Sequence, residues 1–496
     1  MYKRMYKRIG SAIFAALILL SVISCSKEAA SVDSGTGTLD TAAETVEETT
    51  RLDDLPEGID FDGTEVRIYS RSHFRFADEI TVDDMNGDAV NDKIFERKQK
   101  VEERLNVKIN NHKATDDPHG SIWRVRDLVW AGDDAYDIAT ASMYTAAPES
   151  SNAIFIDLLD APYIDVTKPY YSADYIKSTQ IGKSLYTVTG DISLSLLRYS
   201  FCVYFNKTLL ENYGIDEPYD LVRAGAWTHD KLRSIVMGIY GDINGNGEAD
   251  MEDFFGLGTS DVIIVDAYTA SYDLRMMDID SDGNPYFCIN LEKFADAVKK
   301  LYELNHETTG VFPYVEISDN NEMTDLCNYF SQDHHVFINN WIYGTETAYL
   351  RNMQSDYGII PYPKWDENQK TYLTFQHDQI GVFGIPITST RVEAAAAVIE
   401  AMSSESALGL KPIYYDVALK GKYLRDETSA EMIEIIHNNR AFDPAWVYCL
   451  FIGDLAQTPR NLLLSGKSDF MSYYKKREKM YNRNLEKLIE AFSKIG

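Results

Sequence analysis

The order of strands and helices in the first ordered part of the chain constrains the fold most strongly. EVRIYSRS (65–72) alternates polar and β-branched residues and predicts a strand. VNDKIFERKQKVEERLNVKIN (90–110) has the apolar spacing of one helix face and runs into a second strand at 107–109. SIWRVRDLVWAG then predicts a helix, and YDIATASMY a third strand. This β-α-β-α-β order predicts a parallel sheet with helices on both faces, because parallel strands need crossover connections.

The rest of the chain continues the alternation, which indicates an α/β protein. LSLLRYSFCVYFNKTLLENYGI (194–215) predicts a long apolar strand and then a helix. AWTHDKLRSIVMGIYG predicts a helix that begins near Thr228, with Trp227 packed at its start. Strands are predicted in HHVFINNWIYG, DYGIIPYPKW and QIGVFGIPI, and helices in NLEKFADAVKKLYELNHETT and RVEAAAAVIEAMSSE. The C-terminal part predicts mostly helices.

The first residues have the layout of a secretory signal, predicted here as residues 1–24. Four cationic residues precede an uncharged apolar run from Ile9 to Ser24, which is too short to span a bilayer comfortably. The run ends in VIS before Cys25, which resembles a bacterial lipobox in which the cysteine becomes lipidated. The alternative is an ordinary signal in which Cys25 is incidental. Lipidation predicts a protein anchored to the extracellular face of the cell membrane.

Residues 25–60 predict a flexible tether, because they are rich in Ser, Thr, Ala, Gly and acids. This stretch has too little apolar surface to order itself. Structure is expected to begin near Phe61. The whole chain carries a formal charge of −29, which excludes nucleic acid as a partner.

The cysteines of the body show no metal-binding or redox spacing. They are Cys202, Cys288, Cys327 and Cys449, each among apolar or aromatic neighbours. Four buried free thiols are therefore predicted, with disulfides as the alternative in an exported protein.

GDINGNGEADMEDFFGLG (241–258) has the oxygen spacing of an EF-hand calcium loop. Numbered from Asp242, oxygen-bearing side chains recur at alternate positions and Gly247 takes the sharp-turn position. The predicted ligands are Asp242, Asn244, Asn246, Glu248 (through its carbonyl), Asp250 and Asp253. Asp253 is shorter than the usual closing Glu, so weaker binding is expected. The alternative is a solvated acidic turn.

A second acidic stretch, DIDSDGNPYFCI, lacks a closing acid and predicts a hairpin turn with Asp-Gly at its tip. A dockerin needs two such loops, so that class is rejected. Calcium is accordingly expected as a structural clip within an insertion.

Several stretches, taken in order, resemble extracellular solute-binding lipoproteins of ABC importers (family 1, related to maltodextrin-binding proteins). The stretches are VEERLNVKI, AYDIATASMY, GKSLYTVTGD, YSFCVYFNKTLLENYGI, AWTHDKL, VFINNWIYG, DYGIIPYPK and RVEAAAAVIEAMSSE. The resemblance implies a two-lobed, type II periplasmic-binding-protein-like fold with discontinuous lobes. Lobe one is predicted at 61–195 and 356–405, and lobe two at 196–355 and 406–496, with crossings near 191–199 and 355–357.

Ligands of open α/β sheets bind beyond the carboxyl ends of the strands. The candidate ligand-binding residues at predicted strand ends are Arg71, His73, Tyr144, Asp191, Trp341, Tyr343, His377 and Asp378. By the resemblance, Trp341 takes the place of a stacking tryptophan and Tyr144 that of a ligand contact. The alternatives are a core role in lobe two for Trp341 and exposed loop positions for Arg71 and His73.

The resemblance implies a monomeric binding protein that captures a carbohydrate, an oligosaccharide by expectation, and delivers it to ABC permease subunits. It implies no enzyme activity and no catalytic cofactor. Two alternatives stay open. One is a secreted carbohydrate-active enzyme, which needs a pair of catalytic carboxylates. The other is a receptor-coupled sensor with the same fold.

Overall fold

The computed structural model describes residues 51–114, 117, 119–120, 122–314, 322–415 and 427–495. The predicted signal peptide, Cys25 and the predicted tether up to residue 50 lie outside these residues. The prediction that structure begins near Phe61 is wrong, because Asp53 and Leu55 are buried and Asp53 pairs with Arg104. The strands are β1 (Thr64–Ser70), β2 (Val107–Lys113), β3 (Ile138–Ser142), β4 (Phe201–Asn206), β5 (Tyr240–Gly241), β6 (Phe254–Ser260), β7 (Met277–Ile279), β8 (Pro285–Phe287), β9 (Val311–Tyr314), β10 (His335–Trp341), β11 (Tyr357–Ile360), β12 (Thr374–Phe375), β13 (Gly381–Gly384) and β14 (Arg440–Ala441).

The helices connect and cover these strands. They are α1 (Ala89–Leu105), α2 (Ile122–Trp130), α3 (Met143–Glu149), α4 (Ala173–Thr179), α5 (Leu194–Arg198), α6 (Lys207–Asn212), α7 (Tyr219–Arg223), α8 (His229–Val236), α9 (Ile263–Ser271), α10 (Leu291–Glu307), α11 (Glu322–Ser331), α12 (Ala348–Asn352), α13 (Val392–Glu405), α14 (Lys411–Ile413), α15 (Glu427–Asn438), α16 (Pro444–Val447), α17 (Cys449–Ile452), α18 (Thr458–Leu464) and α19 (Phe470–Ser493). Short 3₁₀ segments occupy Ser150–Asn152, Ile181–Lys183 and Ile342–Glu346, and a π-helical segment occupies Ser406–Leu410.

The first sheet has the strand order β13-β3-β1-β2. β1 is parallel to β2 and to β3, while β13 is antiparallel to β3. The Asp88 side chain caps the start of α1 by accepting backbone N–H groups, and Asn106 ends it in the left-handed region. These caps lead α1 directly into β2. The predicted parallel β-α-β-α-β opening is therefore confirmed.

The second sheet has the order β11-β4-β10-β6-β5, with β9 also paired to β6. β4 runs antiparallel to both β10 and β11, and every residue of β4 and β10 is buried. Burial on both faces explains why β4 is a nearly continuous apolar run, whereas β10 also buries His335, Asn339 and Asn340. β11 belongs to this sheet although it follows residue 356, where the predicted lobe one resumes. The assignment of lobe boundaries stays a prediction.

Two local predictions are wrong. Residues 194–198 form α5 and not part of a strand, and Tyr144 is the second residue of α3 and not a strand end. Residues 194–198 are a short apolar run that is buried on all sides, as Leu194, Leu196 and Leu197 show. Periodicity cannot separate strand from helix in such a run.

Other local predictions are confirmed. Thr228 caps α8 through its side chain, and Trp227 is fully buried with its indole N–H donating to the carbonyl of Pro361 at 2.9 Å. β7 and β8 form the predicted hairpin, and Gly283 at its tip has a φ of 84°.

The cysteine prediction holds for three residues and is wrong for one. Cys202, Cys327 and Cys449 are buried free thiols, whereas Cys288 is free but exposed. Cys288 directly follows the edge hairpin strand β8, so its apolar neighbours do not enclose it.

The C-terminal helices bridge elements that flank both sheets. α17 contacts α3, α18 contacts α9, and α19 contacts α10 and the 3₁₀ segment Ile181–Lys183. The prediction of a mostly helical C-terminal part is confirmed. Within the described ranges, no helix combines the length and apolarity that a membrane span needs.

Candidate ligand-binding site

Aromatic and charged side chains meet where β1 and β10 end. The loop after β1, the residue between α5 and β4, the end of β10 and the turn before β13 all contribute. We name this group the cleft cluster and define it as Arg71, His73, Arg75, Phe76, Tyr199, Trp341, Tyr343, His377, Asp378 and Gln379. The elements that supply these residues belong to both sheets or link them.

The aromatic rings of the cleft cluster are arranged around Tyr199. Its ring centroid lies 4.8 Å from that of Trp341, in a perpendicular arrangement, and 5.5 Å from that of Tyr343. Phe76, from the loop after β1, lies 5.2 Å from Tyr199 on the other side. The His377 ring lies 5.1 Å from Trp341. These spacings are typical of favourable aromatic pairs, and they join the two sheets at one point.

A buried ion pair holds the loop after β1. The Arg71 guanidinium donates to Glu79 at 2.8 Å and covers the ring of Phe76 at 3.7 Å. Ser193 and Ser195 also donate hydroxyl groups to the Glu79 carboxylate. Burial opposes ionisation of Glu79, but the Arg71 charge and these hydrogen bonds outweigh it and lower the pKa of Glu79. Arg71 is only 2% exposed, and its pairing with Glu79 holds the loop after β1 in position.

A second ion pair supports the other side of the cleft cluster. Arg198 binds Glu346 through two nitrogens at 2.9 and 2.8 Å, and its charge lies over the ring of Tyr343. The hydroxyl of Tyr414 also donates to Glu346. This planar, bidentate geometry fixes the side chains next to Tyr199.

Four buried polar atoms of the cleft cluster have no hydrogen-bond partner in the described part of the chain. They are Arg75 Nε, Tyr199 OH, Asp378 Oδ1 and Gln379 Oε1. Buried polar atoms in native proteins are almost always hydrogen-bonded, because an unmet donor or acceptor costs free energy. A binding site for a polar ligand with a carbon skeleton combines aromatic side chains with hydrogen-bond donors and acceptors that the protein itself does not pair. The cleft cluster has this combination.

His377 does not satisfy Asp378. Its Nδ1 accepts the backbone N–H of Gln379 at 3.0 Å, so that nitrogen carries no proton for Asp378 Oδ1, which lies 2.9 Å away. Burial lowers the pKa of His377 and keeps the ring neutral at pH 7. Asp378 therefore keeps an acceptor oxygen for another group.

The structure brings together six of the eight residues predicted as ligand contacts: Arg71, His73, Trp341, Tyr343, His377 and Asp378. Tyr144 lies at the edge of this group, where its backbone N–H donates to the Asp378 carbonyl and its ring packs on His119 at 5.1 Å. Burial raises the pKa of Tyr144 to about 12. Asp191 lies apart, paired with Lys411 at 3.1 Å.

Sequence reasoning missed Arg75, Phe76, Tyr199 and Gln379. Arg75 and Phe76 belong to the same HFRF stretch as His73, so extending the candidate set along the loop after β1 finds them. Tyr199 lies at a predicted crossing between lobes, which is the signal that marks it. Gln379 directly follows Asp378 but carries no such signal.

The predicted calcium loop, 242–253, connects β5 to β6. The Asp242 carboxylate accepts the backbone N–H groups of Gly245 and Gly247, which closes the first turn. Asn244 and Asn246 both approach Asp250 Oδ2, at 2.9 and 2.6 Å. In both contacts the asparagine side chain donates an N–H to the Asp250 carboxylate, so hydrogen bonds within the loop hold these side chains together.

The end of the loop is anchored by Asp253, which is fully buried and accepts the backbone N–H of Ile243 and the hydroxyl of Tyr240. Glu248 donates its backbone N–H to the side chain of Asn246. No group of three or more His, Cys, Asp and Glu is placed to hold a metal in the described ranges, and this loop depends partly on asparagine oxygens. Carboxylate, amide and carbonyl oxygens are the donors that calcium prefers, so the residues fit, and calcium binding stays a prediction.

No protein-family model matches the chain, and no curated protein matches it either. Solved structures do share its fold. An ABC substrate-binding protein from Listeria monocytogenes in complex with cycloalternan is 14% identical, with a TM-score of 0.53 over 87% of this chain and 100% of that one. Apo RafE from Streptococcus pneumoniae is 15% identical, with a TM-score of 0.52 over 86% and 98%.

A third structure, an ABC transporter solute-binding protein from Thermotoga lettingae bound with α-D-tagatose, is 14% identical, with a TM-score of 0.52 over 86% of this chain and 100% of that one. At these identities the likeness establishes the fold. The chain has the type II periplasmic-binding-protein-like fold, and the predicted fold class and resemblance are confirmed at that level.

Proposed function

We propose that this protein captures a carbohydrate in the cleft cluster and delivers it to an ABC importer. The observation that carries the proposal is the set of four unmet buried polar atoms around Tyr199 and Trp341. A saccharide offers hydroxyl donors to Asp378 and acceptors to Arg75, and its C–H faces suit the aromatic rings. The neighbours from Listeria monocytogenes and Thermotoga lettingae are a substrate-binding and a solute-binding protein, which is consistent with this role.

Capture works by closure of two lobes around the ligand. The loop after β1 supplies Arg75, which lies over the ring of Trp341 at the end of β10, and Phe76, which packs on Tyr199. A ligand held by both sides favours the closed arrangement, because separating the lobes would break its contacts on one side. The closed form then docks on the permease subunits.

The protein acts as a monomer on the outer face of the cell membrane. Lipid chains on Cys25 hold it there, and the tether is the part of the predicted 25–60 segment that precedes residue 51, because Asp53 and Leu55 are buried against the body. A calcium ion bound by the 242–253 loop stabilises the connection between β5 and β6 and takes no part in ligand chemistry.

A hydrolytic function finds less support in the cleft cluster. Glycoside hydrolysis uses two carboxyl groups on opposite sides of the scissile bond. Glu79 is occupied by Arg71, and Glu346 by Arg198, which leaves Asp378 as the carboxylate with an unmet oxygen among the described cluster residues and their partners.

Thermal unfolding with a panel of oligosaccharides tests the proposal. A ligand that binds only the folded protein stabilises it by RT ln(1 + [L]/Kd), about 2.7 kcal/mol at a hundredfold excess over Kd. At least one oligosaccharide should raise the melting temperature and be recovered unchanged. Asp378→Asn should abolish that shift, whereas Asp137→Asn, at a buried aspartate paired with Arg67, should lower stability but keep the shift. Turnover of the sugar would favour an enzyme, and no shift with any sugar would refute carbohydrate capture.

A further inference from the structure

Arg75 differs from the other arginines around the cleft cluster because it has no carboxylate partner in the described part of the chain. Arg71 is paired with Glu79 and Arg198 with Glu346. No ion pair joins Arg75 to Asp378, the other charged residue of the cleft cluster with an unmet atom. One cation of the cleft cluster is therefore left without a counter-charge among the residues that the structure describes.

Aromatic rings hold this cation in place. The guanidinium carbon lies 5.5 Å from the ring centre of Trp341, 5.7 Å from that of Phe76 and 5.9 Å from that of Phe74. The backbone N–H of Arg75 donates to His73, which fixes the start of the side chain. Cation–π contacts satisfy the faces of a guanidinium, but its N–H groups lie in the plane and still need acceptors.

The missing acceptor for the Arg75 guanidinium matters because part of that group is buried. Arg75 Nε is inaccessible to solvent and has no acceptor among the described residues. The Arg75 side chain as a whole is only partly buried, but a donor atom removed from water still costs free energy unless an acceptor compensates it. The guanidinium fork matches the planar carboxylate and the sulfate group, to which it binds through two nitrogens at once.

We propose that the cleft cluster takes an anionic saccharide, whose carboxylate or sulfate group binds Arg75 while its sugar ring packs on Trp341. The inference rests on the proposed function and deepens it. Asp378 and Tyr199 meet hydroxyl groups of the same ligand. The chain as a whole is strongly acidic and repels anions at long range, so a dedicated cation at the site is the means of admitting one.

Matched ligands separate the charge of the saccharide from its shape. Isothermal titration of the full-length protein would compare oligogalacturonides and glucuronate-containing oligosaccharides with their carboxyl-reduced, neutral counterparts. O-sulfated galacto-oligosaccharides and their desulfated counterparts form the second arm and distinguish sulfate from carboxylate. We expect one anionic series to bind at least tenfold more tightly than its neutral counterpart, with affinity that falls as salt is added.

Arg75→Gln should weaken the anionic ligand about tenfold to a hundredfold and its neutral counterpart less than threefold. Arg75→Lys, which keeps the charge but not the fork, should recover part of the loss. Arg483→Gln, at an exposed arginine outside the cleft cluster, is the control and should change neither. Melting temperatures of all three variants should stay near that of the parent.

Tighter binding of neutral than of anionic counterparts would overturn the inference and leave the proposed function intact. Equal loss of both ligands in Arg75→Gln would also overturn it, because Arg75 would then bind only hydroxyl groups. If no saccharide of either series binds, the proposed function fails together with the inference.

Discussion

Replacing Tyr199 with Phe tests whether the cleft cluster is built for a ligand and not only for packing. The Tyr199 ring is fully buried among aromatic neighbours, and its hydroxyl has no partner in the described part of the chain. Tyr199→Phe removes this oxygen and keeps the ring. In the absence of ligand, an unmet buried hydroxyl costs about 1–3 kcal/mol, so its removal should stabilise the protein by up to that amount.

The same substitution should weaken ligand binding. A neutral hydrogen bond contributes about 0.5–1.5 kcal/mol, so losing one to a saccharide hydroxyl weakens affinity by up to about tenfold. Urea unfolding followed by tryptophan fluorescence would measure the first effect, and isothermal titration the second. The substitution should thus raise folding stability and lower ligand affinity. A purely packing role for Tyr199 would not explain both effects.

Tyr175→Phe is the matched control. Tyr175 is also fully buried, but its hydroxyl is hydrogen-bonded to Thr187 at 2.7 Å and lies outside the cleft cluster. This variant should lose about 1 kcal/mol of stability and keep the parent affinity. If Tyr199→Phe behaved in the same way, losing stability without losing affinity, the hydroxyl of Tyr199 would have a structural partner and our reasoning about the site would be wrong.

Three further outcomes are expected. Trp341→Ala, at a side chain only 4% exposed, should cost about 3–5 kcal/mol of folding stability and abolish saccharide binding measured by titration. Calcium should raise the melting temperature, and Asp242→Ala should remove this shift while Asp280→Ala, in the β7–β8 turn, keeps it. Burial lowers the pKa of His335 to about 3, so the folded protein stays neutral there while the unfolded chain gains a proton below pH 6.5. The contribution of this residue to the free energy of unfolding should therefore fall by about 1.4 kcal/mol per pH unit as pH drops from 6.5 towards 3. Urea unfolding at pH 7 and pH 5 measures this loss of stability. The loss should be smaller in His335→Gln and unchanged in the control, His112→Asn.

The sequence predicted the architecture because hydrophobic periodicity and capping residues agree with the fold over long segments. α8 shows this agreement, because its start near Thr228 was predicted from the sequence and the Thr228 side chain caps it. The stretch 194–198 was misassigned because its burial on all sides is set by tertiary contacts. A short run that is apolar everywhere carries no period, so strand and helix are equally compatible with it.

The candidate site was predictable only in part, for a different physical reason. The rule that ligands bind beyond strand ends found His73, Trp341 and Asp378, because it depends on topology. It also selected Asp191, which Lys411 neutralises instead. Whether a polar side chain is satisfied by the protein depends on partners far away in the sequence, and no local pattern encodes them.

Satisfaction of polar groups therefore separates binding residues from structural ones at this site. Arg71 and Arg75 occupy the same loop, carry the same charge and contact the same Phe76 ring. Arg71 meets Glu79 and stabilises the loop, whereas Arg75 meets no carboxylate in the described part of the chain. A protein that leaves such a donor unmet in its own fold must offset the cost elsewhere, and a ligand that supplies the missing acceptor recovers that free energy as binding. The difference between these two arginines is thus the physical basis on which selectivity for an anionic saccharide rests.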